Sequence, residues 1–375
     1  MPLALHWFLP TAGDSRDVAG FGPTVSRRQP TLRYLTQVAG AAEQLGFDAV
    51  LTPTGTWCED AWLSTAALIG ATERLRFLVA FRPGFLSPTL AAQQAATFQR
   101  LSGGRLLLNV VTGGDPAEQR SFGDHLDHDQ RYERTAEFLQ IVRGAWSGTP
   151  FDFDGVHHRV EGATVLAPPE PTPPIFFGGS SAAGKAVAAA HADTWLMWGE
   201  PVAAAAAEVA LVRAMAAARG RTVEAGIRLH VITRDRASDA WAEAERMVRA
   251  MPEATVAAAQ RRMGGTESTA QRRMVALHGG DRSDLVVGPN LWAGFGLVRG
   301  GAGTALVGSH DEVAERLVEY HAAGFDHVIL SGQPHLEEAY WFGEGVIPRL
   351  QAAGLVGGAP AEVAPPTRLA HASAS

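Results

Sequence analysis

The sequence predicts an α/β fold, a (β/α)8 TIM barrel with insertion segments. Three observations carry this reading. Segments of strand character alternate with segments of helical periodicity along most of the chain, giving eight strands. At least one strand, Arg105 to Thr112, is apolar on both faces, as the strands of a parallel sheet are. Polar residues collect at the C-terminal ends of the strands, where barrels of this kind carry their sites.

Leu3 to Leu9 reads as the first strand, and Gln29 to Leu45 follows with apolar residues at helical spacing (Leu32, Leu35, Val38, Ala42, Leu45) and a stop at Gly46. Asp48 to Thr52 is the second strand, before a helix from Asp60 to Ala71. Leu75 to Phe81 is the third, before a helix opened by Ser87 and Pro88 and ending at Leu101. Arg105 to Thr112 precedes a helix from Asp129 to Trp146. Periodicity then lapses between Gly148 and Pro174, a stretch rich in Asp, Gly, His and Pro that reads as an inserted hairpin. The rhythm resumes with strand Ile175 to Phe177, helix Ser181 to Ala190, strand Thr194 to Trp198, helix Pro201 to Arg219, a strand from Gly226 to Ile232 and helix Ser238 to Met251. It breaks again from about 252 to 303, in Gly-rich turns with a helical piece around Gln271 to Leu277. Helix Asp311 to Ala323 and strand His327 to Leu330 complete the series. Residues 1–355 are therefore expected to form one barrel with insertions at about 148–174 and 252–303, and 356–375, rich in Ala, Pro, Ser and Gly, a flexible tail. A doubly wound sheet is disfavoured, because Pro10 to Asp14 lacks the glycine fingerprint that such a fold carries after its first strand.

With 46% hydrophobic and 19% charged residues among 375, the chain has an ordinary globular composition and no apolar run long enough to span a bilayer. Its N-terminus lacks a basic region and a cleavage site. The single cysteine, Cys58, excludes an internal disulfide and a cysteine zinc site. A cytoplasmic protein with no metal and no membrane partner is expected. A net charge of −7 argues against nucleic acid, so any anion must be bound locally.

One stretch has the composition of a buried strand yet carries two cationic groups. In Gly226 to Ile232, Arg228 and His230 share a face while Ile227, Leu229 and Val231 share the other. A buried guanidinium is costly unless it is paired or faces an anion. An edge strand with one wet face, an Arg paired to a distant carboxylate, and an anion site each fit this stretch taken alone. The other strand ends add Thr52 and Thr54, Phe81 and Arg82, Asn109 and Thr112, Gly178 to Ser181, and Trp198. In Phe177-Gly178-Gly179-Ser180-Ser181, two glycines let the backbone approach a ligand and two serines open a helix whose free N–H groups suit a phosphate. An ordinary serine cap fits the same residues.

Longer blocks run in order through nearly the whole chain. They include Thr54-Gly55 with Cys58 to Trp62, Ser87-Pro88-Thr89, Asn109 to Gly113, Phe177 to Ser181, Trp198 to Pro201, Gly226 to Val231, Asn290 to Gly294, Leu297 to Gly308, and Pro334 to Tyr340. Together they resemble the bacterial alkanesulfonate monooxygenases, two-component enzymes of the bacterial luciferase superfamily. The resemblance implies a (β/α)8 barrel that takes reduced FMN from an NAD(P)H-dependent FMN reductase. With O2 it would cleave the C–S bond of a small anionic organosulfonate to an aldehyde and sulfite, and it would be a homo-oligomer. It places Cys58, Trp198, Arg228, His230 and Arg299 at active-site positions. Ser180, Ser181 and Tyr132 would take the FMN phosphate and Asn109 and Thr112 the flavin ring, with Thr54, Gly178 and Gly179 completing the cofactor-binding set.

For Cys58, a flavin-adjacent role and a small buried residue both fit. Two positions depart from the pattern: Thr56-Trp57 stands where Arg-Ser is expected, and Gln333 stands where the family has a tyrosine thought to take part in proton transfer. An amide has no ionisable proton. Either the proton comes from elsewhere, with His230 the candidate, or Gln333 reads a polar group on the substrate. The Arg-rich segment from about 252 to 288 (Arg261, Arg262, Arg272, Arg273) is expected to be a mobile lid. Other readings are a monooxygenase of a sulfone or sugar sulfonate, an F420-type oxidoreductase, and a flavin carrier without turnover.

Overall fold

A computed structural model describes residues 2–18 and 27–357. Eight parallel strands form the barrel: β1 (Ala4–Phe8), β2 (Ala49–Thr52), β3 (Arg76–Phe81), β4 (Leu106–Val111), β5 (Ile175–Gly178), β6 (Thr194–Trp198), β7 (Glu224–Arg234) and β8 (His327–Ser331). Each pairs with the next in parallel register, and β8 pairs back onto β1, so the sheet closes. Eight helices follow the strands in turn: α1 (Leu32–Leu45), α2 (Ala61–Ala66), α3 (Pro88–Ser102), α4 (His128–Ala145), α5 (Ala182–His191), α6 (Val202–Ala217), α7 (Ala237–Arg249) and α8 (His335–Gly345).

The period of two along each strand sorts the side chains into two cores. Phe8, Ala49, Leu51, Leu78, Leu107, Phe176, Leu196 and Ile329 fill the barrel interior. Leu5, Trp7, Phe77, Val79, Leu108, Phe177, Ile227, Leu229 and Val231 point outward into the larger core under the helices. Local signals start the helices where the sequence places them. The Asp60 carboxylate accepts from Leu63 N at 2.8 Å, and Ser87 caps α3 with Pro88 in its first turn.

The first insertion contains the expected hairpin, an antiparallel pair Phe151–Asp154 and Arg159–Ala163. The second is more regular than its glycines suggest. It holds a helix at Glu253–Gly264 and another at Thr269–His278, then two short antiparallel pieces, Val286–Gly288 and Leu291–Trp292, and it leads directly into a strand, Ala305–Ser309. That strand pairs in parallel with the upper half of β7, taking up the edge that β6 leaves after Trp198. It is reachable because β7 has 11 residues and outruns its neighbour. A satellite core of Ile232, Ala244, Met247, Trp292, Phe295 and Val307 fixes the insertion to α7.

Four helices were not legible from the sequence: Pro116–Ser121, Glu253–Gly264, α8 and Ile347–Ala352. The buried face of α8 carries His335 and Glu338 beside Ala339 and Phe342, so no apolar stripe announces it. Of the expected tail, residues 358–375 lie outside the described residues. Among the described residues no helix is long and apolar enough to cross a membrane.

Ile329 is 1% exposed in the barrel interior. Ile329→Ala is expected to destabilise the fold by about 2–4 kcal/mol through lost transfer energy and a residual cavity. Urea denaturation measures this, and a loss below about 1 kcal/mol would show that the inner layer collapses around the gap.

Candidate active site

Arg228 and His230 lie on the interior face of β7, and β7 is hydrogen-bonded along both edges, by β6 and β8. This removes the edge-strand reading. Arg228 is 9% exposed and His230 1% exposed. The Arg228 guanidinium sits 4.9 Å from the centroid of the Phe8 ring, and its Nη1 donates to the carbonyls of Leu229 and Ile329. Among the described residues it forms no ion pair with a carboxylate.

Donor directions from this guanidinium can be assigned in sequence. Arg228 Nη2 can only donate, and Ser331 Oγ lies 2.7 Å away. Ser331 Oγ lies 2.7 Å from His230 Nδ1, and His230 Nε2 lies 3.0 Å from the Ala302 carbonyl, which can only accept. His230 therefore carries its proton on Nε2 and accepts from the Ser331 hydroxyl at Nδ1, so both ring nitrogens are occupied. The ring stacks on Phe295 with centroids 4.0 Å apart. Burial, and after it the charges of Arg228 and Arg299, hold the imidazole well below its ordinary pKa, in the neutral form.

Arg299 comes from the turn after the short helical segment at Gly294–Leu297 and is 6% exposed. Burial holds both guanidiniums below the ordinary arginine range, with Arg299 also lowering Arg228 and Asp14 acting in the opposite sense on Arg299. With its amide oriented to match donors with acceptors, Gln333 accepts from Arg299 Nη1 at 3.2 Å and donates to the Asp17 carbonyl at 3.3 Å. Its hydrogen-bonding capacity is thus turned to holding Arg299. Arg299, Gln333, Trp57, Phe8 and His335 line a narrow cleft, which places the bulky Trp57 ring at the barrel mouth.

A second cluster occupies the ends of β4 and β5. Asn109 is buried on the interior face of β4. Tyr132 on α4 places its hydroxyl beside Ser181 and Thr112, and Thr112 Oγ1 is buried with no well-formed hydrogen bond among the described residues. Ser181 caps α5, accepting from Gly184 N at 3.1 Å. Gly179 packs so tightly that an added Cβ would lie 3.1 Å from Gly184 Cα, whereas one at Gly178 would meet nothing within 4 Å. An orphaned hydroxyl, an open stretch of backbone and a ten-residue helix beginning at the same place fit a phosphorylated planar cofactor. The structure thus brings Asn109, Thr112, Tyr132, Gly178, Gly179, Ser180 and Ser181 to one region.

Trp198 ends β6 and stands opposite Arg228 in the register. Cys58 Sγ rests 3.6 Å from the carbonyls of Pro53 and Gly55, and burial pushes its thiol up to about 12, which leaves it neutral. Thr54 lies on the same loop, and among the described residues no hydrogen bond links its side chain to either cluster. Glu118 pins this loop, accepting from Thr56 N at 2.8 Å and from Arg82 Nη2 at 2.6 Å. Sequence reasoning missed Ser331, which joins Arg228 to His230, and Asp14, whose carboxylate accepts from His335 N at 2.8 Å and His335 Nδ1 at 2.9 Å and from the Tyr34 hydroxyl. Ser331 is an apolar strand's last residue, and only the register with β7 reveals its partner.

The fold is shared with several solved structures. A riboflavin lyase (RcaE), determined with modified FMN and riboflavin, superposes with a TM-score of 0.81 at 22% identity, over 96% of this chain and 94% of that one. The EDTA monooxygenase (EmoA) of Chelativorans sp. BNC1 gives 0.76 at 21% identity, over 95% of each chain. DmoA of Hyphomicrobium sulfonivorans gives 0.74 at 19% identity, over 96% and 90%. At these identities the likeness speaks for the fold. The sequence pattern of the luciferase-like monooxygenases matches residues 3–327. The chain belongs to the luciferase-like monooxygenase family.

Proposed function

We propose that this protein is a two-component flavin monooxygenase that cleaves the C–S bond of an organosulfonate, releasing an aldehyde and sulfite. The observation that carries the reading is the burial of two guanidiniums, Arg228 and Arg299, close enough at the barrel mouth to repel each other. Such charge is held against its desolvation cost, and an anionic head group with several acceptor oxygens offsets that cost. Asn109, Thr112, Tyr132, Gly178, Gly179, Ser180 and Ser181 would hold FMN, which, delivered reduced by an NAD(P)H-dependent reductase, supplies the electrons for activating O2.

The remaining work falls to the chain's own side chains. Arg228 and Arg299 bind and orient the sulfonate, Gln333 holds Arg299 in place, and the Ser331–His230–Ala302 chain fixes Arg228 relative to the turn that bears Arg299. Phe8 and Trp57 line the cleft and limit water there. The segment 252–288 serves as a lid. Arg273 on the Thr269–His278 helix ties it to Glu200 at 2.7 Å and to Glu208 at 2.7 Å, while Thr266 reaches the Gly114 carbonyl at 3.3 Å.

The reading is tested by supplying the protein with a flavin reductase, NADH, O2 and an alkanesulfonate and assaying sulfite. Sulfite above the reductase-only control is expected, and Arg228→Met should lower kcat/KM about 100-fold by removing one arm of the anion site. No sulfite from any sulfonate, with oxygenation of a neutral substrate instead, would overturn it.

Reduced FMN is expected to bind at least about tenfold more tightly than oxidised FMN, a difference of about 1.4 kcal/mol, because the flavin arrives from a reductase. Anaerobic and aerobic fluorescence titrations measure both constants. A protein that purifies with stoichiometric oxidised flavin would contradict this.

A further inference from the structure

His230 is not the only buried histidine at this mouth. His335, the first residue of α8, is 2% exposed and lines the cleft with Arg299, Gln333, Trp57 and Phe8. Its Nδ1 lies 2.9 Å from Asp14 Oδ1. Asp14 is 2% exposed, and burial alone would raise its pKa. The His335 ring, the Tyr34 hydroxyl and the His335 amide outweigh that effect and keep it below the ordinary carboxylate range. An ionised carboxylate only accepts, so the Nδ1 proton belongs to His335 and its Nε2 is left as a bare lone pair. That nitrogen is buried and has no hydrogen-bond partner among the described residues. The two histidines thus differ in one decisive respect: both nitrogens of His230 are occupied by Ser331 and Ala302, and one nitrogen of His335 is vacant.

We infer that the Asp14–His335 pair is the acid–base group of this cleft, with His335 taking up and returning a proton at Nε2 while Asp14 holds Nδ1–H. The proposal rests on the monooxygenase reading for its substrate. In the step, a substrate C–H or O–H bond breaks as the Nε2–H bond forms, leaving the electron pair on the substrate. Asp14 balances the charge of the imidazolium, and the proton passes to departing product or water, so the pair ends each turnover as it began. Carboxylate, imidazole and reacting atom in line are an arrangement that fixes a histidine's tautomer and stabilises its charged form. Gln333, two residues away, has no ionisable proton and is engaged by Arg299 and Asp17.

Other charged or titratable groups surround His335. Arg228 and the neutral His230 come from β7, Arg299 from the turn that precedes the Ala305–Ser309 strand, and Tyr34 from α1 behind Asp14. On α8, Glu337 is paired with Arg28 and Glu338 with Arg234. Among the described residues, only Asp14 contacts the ring of His335 directly through an ionised group.

The test combines spectroscopy on the flavin-free protein with two variants. In long-range 1H–15N spectra of the imidazole-labelled full chain, His335 is expected to show a bare Nε2 at alkaline pH that becomes protonated as the pH falls, and to shift when methanesulfonate is added. His230 is expected to keep its Nε2 proton throughout. A His335 Nε2 that neither titrates nor responds overturns the proposal, even if the protein acts on no sulfonate at all. His335→Asn, whose amide can still donate to Asp14, should lower kcat about 100-fold or more, with KM for sulfonate within about threefold. His335→Gln, which puts a non-ionisable amide near the Nε2 position, should be equally impaired. Variants that melt like the wild type and keep kcat within about threefold would overturn it; if they do not fold, the wild-type spectra decide.

Discussion

The structure depends on burying positive charge at the mouth of an apolar barrel. Arg228 and Arg299 are withdrawn from water together, and both are held below their ordinary pKa by that withdrawal. A buried charge without adequate compensation costs several kcal/mol. Much of the local architecture reads as a response to this cost. Backbone carbonyls at Leu229 and Ile329 accept from Arg228, the face of Phe8 lies under it, and Ser331 accepts from its second arm. On the Arg299 side, Gln333 turns its oxygen to the guanidinium, and Asp14 supplies negative charge nearby. His230 contributes by staying neutral.

The barrel itself was legible because its signals are periodic and redundant. All eight strands lie where alternation placed them, and Ser87, Ser181 and Asp60 cap helices as their side chains suggest. The strand Ala305–Ser309 was hidden because it is five residues long, follows a glycine-rich turn and contains Gly308, and it is held in place because β7 outruns β6. The helix Glu253–Gly264 was hidden by an alanine-rich face with few large apolar residues. In both cases the deciding contact comes from a part of the chain distant in sequence.

The same division holds at the site. Strand period alone put Arg228 and His230 on one face, and the structure places that face inside the barrel. It could not show what the two residues touch. The link between them is Ser331, about a hundred positions away, brought into register only when β8 closes on β7. Gln333 stood out as a departure, but its engagement with Arg299 and the Asp17 carbonyl depends on two loops meeting. The pairing of Asp14 with His335 spans nearly the whole chain and has no local signal at all.

If buried guanidinium charge is what this mouth is built around, the flavin-free protein should bind a small sulfonate and ignore its neutral isostere. Thermal unfolding in the presence of methanesulfonate or dimethyl sulfone tests this directly. The account predicts that saturating methanesulfonate stabilises the fold, by about 2.7 kcal/mol at a hundredfold excess over Kd, that dimethyl sulfone does not, and that Arg228→Met removes the effect. Equal stabilisation by the two compounds, or a methanesulfonate effect that survives in Arg228→Met, would contradict it.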